Sequence, residues 1–221
     1  YGTDGTALHI VYSGATKGWI PTLDKTVEDA PSKTNENGIF GYGYSSGNVS
    51  VTNLVNSSGV VASDVTGVGT ARHALAACEY GGDKAIFGYG ADVVSMTNLV
   101  SSSGVVGSDV TGVGTARKSL GACSYGGDKG IFGYGSTGSV SSLTNLVSSS
   151  GVVASDVSGV GTARHGPGAC EYGGDKAIFG YGFSDAYTAL TNLVSNSGVV
   201  ASDVTGVGTG RSNLAACGYG G

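Results

Sequence analysis

GGDKAIFGYG, residues 81–90, returns as GGDKGIFGYG at 126–135 and unchanged at 173–182, and a shorter copy, ENGIFGYG, ends at Gly43. A catalytic apparatus is needed once per chain, so a phrase written four times points to architecture. Ile39, Ile86, Ile131 and Ile178 open the IFGYG core at spacings of 47, 45 and 47 residues. Downstream of each come TNLV, Gly-Val-Val, SDV, GVGT and an Ala-Cys pair ending at Cys78, Cys123, Cys170 or Cys217. Four units of 45–47 residues therefore fill 39–221. From TNLV to the next IFGYG the count is constant. All length variation lies between GYG and TNLV, where eight, six, eight and eight residues stand.

Each unit reads as four short strands. LAACEY (75–80) and KAIFGYG (84–90) flank a Gly-Gly-Asp turn, and SMTNLV (95–100) and VVGSDV (105–110) flank a Ser-rich turn closed by Gly104. No apolar stripe has the 3.6-residue helical period. A period of about 45 residues with four strands per unit is that of a β-propeller blade. The small residues of LAAC, LGAC and PGAC fit an innermost strand, while Ile, Phe and Tyr fill its neighbour. A β-solenoid is the competing architecture, with coils usually shorter than this period.

The expected fold is an all-β, five-bladed propeller of four-stranded blades, a single domain over 1–221. LAACGYGG near the C-terminus supplies the inner strand of a degenerate blade formed by 1–38, whose YGTDGTALHIVYSG is a worn copy of the repeat. Four blades plus an N-terminal extension is the alternative. Mixing both termini in one sheet would hide two strand edges.

Composition narrows the function. Charged residues are only 12% of the chain and the net charge is −5, with no Lys/Arg cluster, which argues against nucleic-acid binding. No apolar run approaches the roughly 18 residues of a membrane span, so no membrane insertion is expected. The first residues lack a basic flank and a Met, as in a mature or excised chain.

TARHALAACEYGGDKAIFGYG (70–90) resembles the kelch repeat: an Arg, a small-residue strand, a Gly turn and an apolar strand ending in glycines. TNLVSSSGVV (97–106) stands where kelch repeats carry a strand, a turn and an aromatic. GYG replaces the adjacent kelch glycines, and Val stands in place of Trp. The resemblance covers 39–221 and implies a propeller. The wording is also similar to repeats of uncharacterised bacteriophage and environmental-virus proteins, which implies an extracellular or virion-associated setting.

Residues common to all blades read as blade structure. Asp83, Asp128 and Asp175 in the hairpin turns, and Asp64, Asp109, Asp156 and Asp203 before a Gly-rich bend, suit the capping of backbone N–H groups. Arg72, Arg117, Arg164 and Arg211 suit bridges between blades through carbonyls. GVGTAR lacks the helix a phosphate loop needs. The four cysteines occupy equivalent positions and read as separate buried thiols, without the spacing of a metal site. No catalytic residue, metal or cofactor is expected. Asn48 and Asn56 begin N-x-S/T sequons.

The positions that differ are the informative ones. The segments after GYG and after TAR or TGR vary, and alternating strands put both at one end of the sheets. Loops on a rigid scaffold are where binding specificity usually lives. The candidate ligand-binding residues are Tyr44, His73, Asp92, Lys118, His165, Phe183, Asp185 and Tyr187. Aromatic and polar groups in that mixture suit a glycan or a protein partner. The leading expectation is a non-enzymatic recognition module, with oligomer formation compatible. A structural spacer is the second reading. A glycosidase-like enzyme, using Glu79 and Glu171 where the sister units have Ser124 and Gly218, is the third.

Overall fold

The structure, a computed structural model, describes residues 10–12, 19–21 and 37–219. The chain divides into two compact units, Tyr1–Thr34 and Asn35–Gly221. In the first, β1 (Ile10–Tyr12) pairs antiparallel with β2 (Trp19–Pro21). The rest of the degenerate blade expected there lies outside the described residues.

The second unit is all-β among its described residues. β3 (Gly38–Tyr44) and β4 (Asn48–Val55) form a two-stranded antiparallel sheet. Three three-stranded sheets follow: β5 (Ala76–Tyr80), β6 (Lys84–Gly88) and β7 (Thr97–Val100); β8 (Gly121–Tyr125), β9 (Lys129–Gly133) and β10 (Thr144–Val147); β11 (Gly168–Tyr172), β12 (Lys176–Phe183) and β13 (Tyr187–Val194). Each is antiparallel and keeps chain order. Gly-Gly-Asp makes the first hairpin because both glycines take positive φ, 63° and 77° at Gly81 and Gly82, which L side chains rarely adopt.

The expected fourth strand is present as a lane with broken pairing. Val106 bridges to Val100 and Val110 to Thr97, and between them the Asn98 amide donates to the Gly107 carbonyl at 3.0 Å. Asn53, Asn145 and Asn192 repeat this contact to the carbonyls of Ala62, Ala154 and Ala201. A side chain thus stands in for part of the backbone ladder, which the composition of VVGSDV does not disclose.

Ring closure is not seen among the described residues. Residues 214–219 carry the inner-strand wording but pair with no strand among the described residues. They run beside β11, where the Asn213 N–H donates to the Gly166 carbonyl at 2.8 Å and a Cβ on Gly168 would lie 3.1 Å from Leu214.

Such small sheets are marginal alone, and they bury their faces on one another. From the second sheet of this unit onward, each strand-2 Phe packs on a strand-2 Gly of the preceding sheet. A Cβ on Gly41, Gly88 or Gly133 would come within 2.8, 2.7 or 2.6 Å of the rings of Phe87, Phe132 or Phe179. The same rings meet Tyr42, Tyr89 and Tyr134 edge-on, with centroids 5.2, 5.1 and 5.2 Å apart. Ile86, Ile131, Phe132 and Phe179 are fully buried there.

Each GVGTAR segment is clamped between two sheets. Arg72 stacks on the Tyr42 ring of its own unit, 4.4 Å from the centroid, while its Nε donates to the Tyr89 carbonyl and its Nη2 to Asn98 Oδ1 of the next sheet. Arg164 repeats the pattern with Tyr134, the Tyr181 carbonyl and Asn192. Arg117 stacks on Tyr89 and reaches Asn145, though its buried Nε finds no partner among the described residues. The stacked tyrosines adopt left-handed φ near 62–64°. That conformation costs roughly 1–2 kcal/mol for a residue with a Cβ. A cation–π contact of about 0.5–2 kcal/mol and a hydroxyl hydrogen bond of about 1 kcal/mol, from Tyr42 to the Val68 carbonyl for example, offset it.

Asp109, Asp156 and Asp203 do cap backbone N–H groups, but ones that lie across a junction rather than in their own bend. Asp109 accepts from the N–H and Oγ1 of Thr70 at 3.0 and 2.7 Å, across the junction between sheets. Asp156 holds Thr115 and Asp203 holds Thr162 in the same way. In the hairpin turns, the side chains of Asp83, Asp128 and Asp175 face the following lysines. There the carbonyls of Asp128 and Asp175 accept from the N–H groups of Gly81 and Gly126 in the preceding sheet, both at 2.7 Å. At the opposite end of the inner strands Ser119 N–H donates to Ala74 O and Gly166 N–H to Ser119 O. Successive sheets are therefore tied at both ends of the small inner strands.

Two outcomes follow from this packing. Gly133→Ala should lower stability by roughly 1–3 kcal/mol through overpacking against Phe179, while Gly47→Ala, in open space, leaves the urea midpoint unchanged. Burial pushes the carboxyls of Asp109, Asp156 and Asp203 up, but the bonds from threonine and asparagine and the nearby arginine outweigh it and hold them below the ordinary value. Their stabilisation is present above the unfolded carboxyl pKa of about 3.9 and is lost as pH falls through the lower folded values. Urea midpoints measured against pH should fall below about pH 4, and Asp156→Asn should flatten that slope.

Candidate functional site

The strand register sets which loops share an end. Ala76 opposes Gly88, and Gly88 opposes Thr97, so the segment before β5 and the β6–β7 connection lie together. The same holds in the next two sheets, and these are the segments whose sequence differs among units. Backbone bonds join them pairwise: Ala91 N–H to His73 O, Ser136 N–H to Lys118 O, and a reciprocal pair between His165 and Phe183.

The eight candidate residues fall into an aromatic group at each end of the stack and a polar stretch between. Tyr44, 68% exposed at the end of β3, meets His73 edge-on at 5.4 Å. His73 Nδ1 lies 2.6 Å from Asn48 Oδ1. An amide oxygen only accepts, so this contact is a hydrogen bond in the tautomer that carries its proton on Nδ1. Asn48, which the sequence offered only as a sequon, becomes a partner of His73 because the contact joins two sheets. In the fourth sheet Phe183 stands between His165, 5.5 Å away, and Tyr187, 5.1 Å away. Tyr187 is 64% exposed, and Asp185 is exposed at the tip of the β12–β13 hairpin. Asp92 is exposed in a turn where it and Val93 take left-handed φ. Lys118 is held by its backbone beside Ser136. The two aromatic groups belong to opposite ends of the stack and do not merge.

A groove of about 460 Å³ opens beside β3, lined by Ile39, Leu54, Ala77, Cys78, Glu79 and Phe87 among others. In the other sheets an inner strand pairs with the strand equivalent to β3; here, among the described residues, β3 pairs only with β4. Glu79 faces this groove, whereas Glu171 accepts from Ser124 Oγ at 2.6 Å, and β8 stands between the strands that carry them. The described residues contain no cluster of three His, Cys, Asp or Glu able to hold a metal, and no helix long and apolar enough to cross a membrane.

The four cysteines are free and grade from buried Cys78 and Cys123 through Cys170 to exposed Cys217. Burial pushes the Cys78 thiol up to about 12 and raises Cys123 strongly. In dilute protein, iodoacetamide followed by peptide mass mapping should modify Cys217 first and reach Cys78 and Cys123 only on unfolding. Compared with protein-family models and with curated proteins, the chain has no match in either.

Proposed function

We propose that the chain is a non-enzymatic recognition module that binds a glycan or a protein through the variable loop end of its sheets. The observation that carries this reading is the ring group His165–Phe183–Tyr187, aligned by the reciprocal backbone pairing of His165 with Phe183 and left open at Tyr187. Exposed aromatic faces pack on the C–H faces of a sugar or anchor a partner side chain. Asp185 beside them, and Asp92, Asn48 and His73 at the other sheets, supply hydroxyl-binding groups. The opposite end of the sheets is nearly identical in every unit, so it offers scaffold rather than discrimination. Several weak sites on one array would act through avidity.

In this reading the small antiparallel sheets are kelch-like units in a propeller-like arrangement, and the setting is extracellular or on a virion. The spacer reading draws on the unlike, unfilled ends of the stack. The glycosidase-like reading needs two carboxylates facing one substrate, and the interposed β8 with the Ser124–Glu171 bond weighs against it.

The test is a glycan array followed by titration of the best ligand against Phe183→Ala and Tyr187→Ala. Removal of either ring should weaken binding about tenfold or more, as loss of a stacked aromatic anchor does, with the urea midpoint unchanged for Tyr187→Ala. An array without a ligand, joined to loop exchanges that leave partner binding unaltered, would overturn the proposal.

A further inference from the structure

The two ends of the stack are unlike, and each carries the missing half of the junction that the interior repeats. Three internal junctions share one set of contacts: Phe on Gly, Tyr edge to Phe, Arg to Asn, and Thr to Asp. At the first sheet the receiving partners lack donors. Phe40 is 63% exposed, whereas its counterparts Phe132 and Phe179 are fully buried. Asn53 and Asp64 bond to one another, and among the described residues no arginine reaches Asn53 and no threonine reaches Asp64.

At the last sheet the donors lack receivers. Among the described residues a Cβ on Gly180 would meet only Thr191, with no Phe where the sockets of Gly41, Gly88 and Gly133 hold one. Arg211 already stacks on Tyr181 at 4.0 Å, yet it is exposed, and among the described residues its guanidinium donates only to the Thr209 carbonyl. Residues 214–219, LAACGY, continue the file of inner strands over β11 without a strand partner among the described residues. Among the described residues β3 pairs along one edge only, with the 460 Å³ groove beside it.

We propose that the chain associates head to tail with a second copy of itself, residues 214–219 of one copy pairing antiparallel with β3 of the next. The register of β5 on β6 sets the pairing: Ala215 opposite Gly41, Ala216 opposite Phe40 and Cys217 opposite Ile39. That register seats Phe40 on Gly180, points Arg211 at Asn53 and gives Asp64 the Thr209 donors, completing every contact of the interior junction. The half-empty β3–β4 sheet becomes a three-stranded sheet like the others, and the groove fills with small side chains. Joining unlike surfaces propagates, so the products are rings or filaments rather than two-fold dimers. This inference is independent of what the variable loops bind.

The test uses the full chain and two end-blocked variants. Phe40→Asp removes the knob, and Gly180→Val fills the socket; both sites are at open ends, and circular dichroism with urea midpoints checks that each variant folds. Sedimentation should show concentration-dependent association of the wild type and a monomer for each variant alone. Mixing the two variants should give a 1:1 dimer and nothing larger, because only one intact pair of ends remains. Cys217 should lose reactivity toward iodoacetamide in the wild-type assembly and in the mixed dimer. A wild type that stays monomeric up to millimolar concentration, or variants that leave its mass unchanged, would overturn the proposal. A monomer with protected Cys217 would overturn it equally, since the ends would then be closed within one chain.

Discussion

A buried arginine held between a tyrosine of one sheet and an asparagine and aspartate of the next is the constraint on which the second unit depends. Three of the chain's four arginines, Arg72, Arg117 and Arg164, occupy this position, and the fourth, Arg211, makes the tyrosine half of the contact. A two- or three-stranded sheet of such short strands does not stand alone in water. Its faces have to be covered, and here they are covered by the neighbouring unit. A guanidinium supplies direction that apolar packing lacks: its planar fork fixes the distance and rotation of the next sheet through the Asn side chain and a backbone carbonyl. Its charge is tolerated out of water because the tyrosine face and the nearby aspartate meet it.

Much of this order was legible in the residues. The repeat, the glycine hairpins, the small inner strands and the bridging role of arginine all follow from comparing units within one chain. The broken fourth lane was not legible, because VVGSDV has strand composition and only the reach of the Asn98 amide shows where the ladder yields. Nor were the aspartates, whose partners lie 39–41 residues away across a junction that short-range turn chemistry cannot suggest. In GYG the flanking glycines draw attention as the flexible positions, yet the tyrosine between them also takes left-handed φ. A contact with the arginine some 30 residues downstream decides that, and no local propensity encodes it.

At the candidate surface, internal comparison found the end of the sheets where sequence changes, since a scaffold position repeats and a loop position does not. The groupings within that end were hidden. His73 meets Asn48 and Tyr44 through a junction between sheets, and His165 meets Phe183 through a backbone pairing across its own sheet. Interactions here run chiefly between neighbouring units, so cooperativity is that of a one-dimensional array in which each sheet is stabilised by the two beside it. The grading of the cysteines from buried to exposed shows the same arrangement at its end.

The left-handed tyrosine has a consequence for how such a chain can diversify. Tyr42 and Tyr181 sit in register shifts within their hairpins, between Gly41 and Gly43 and between Gly180 and Gly182. The ladder is interrupted there before the variable segment begins, and TNLV restores the common register after it. Six residues in the second unit and eight in the others are accommodated without moving the sheets. The bulge acts as a splice point that uncouples an insert from its frame. Foreign loops of unequal length could be grafted after each GYG while the stack beneath stays as it is.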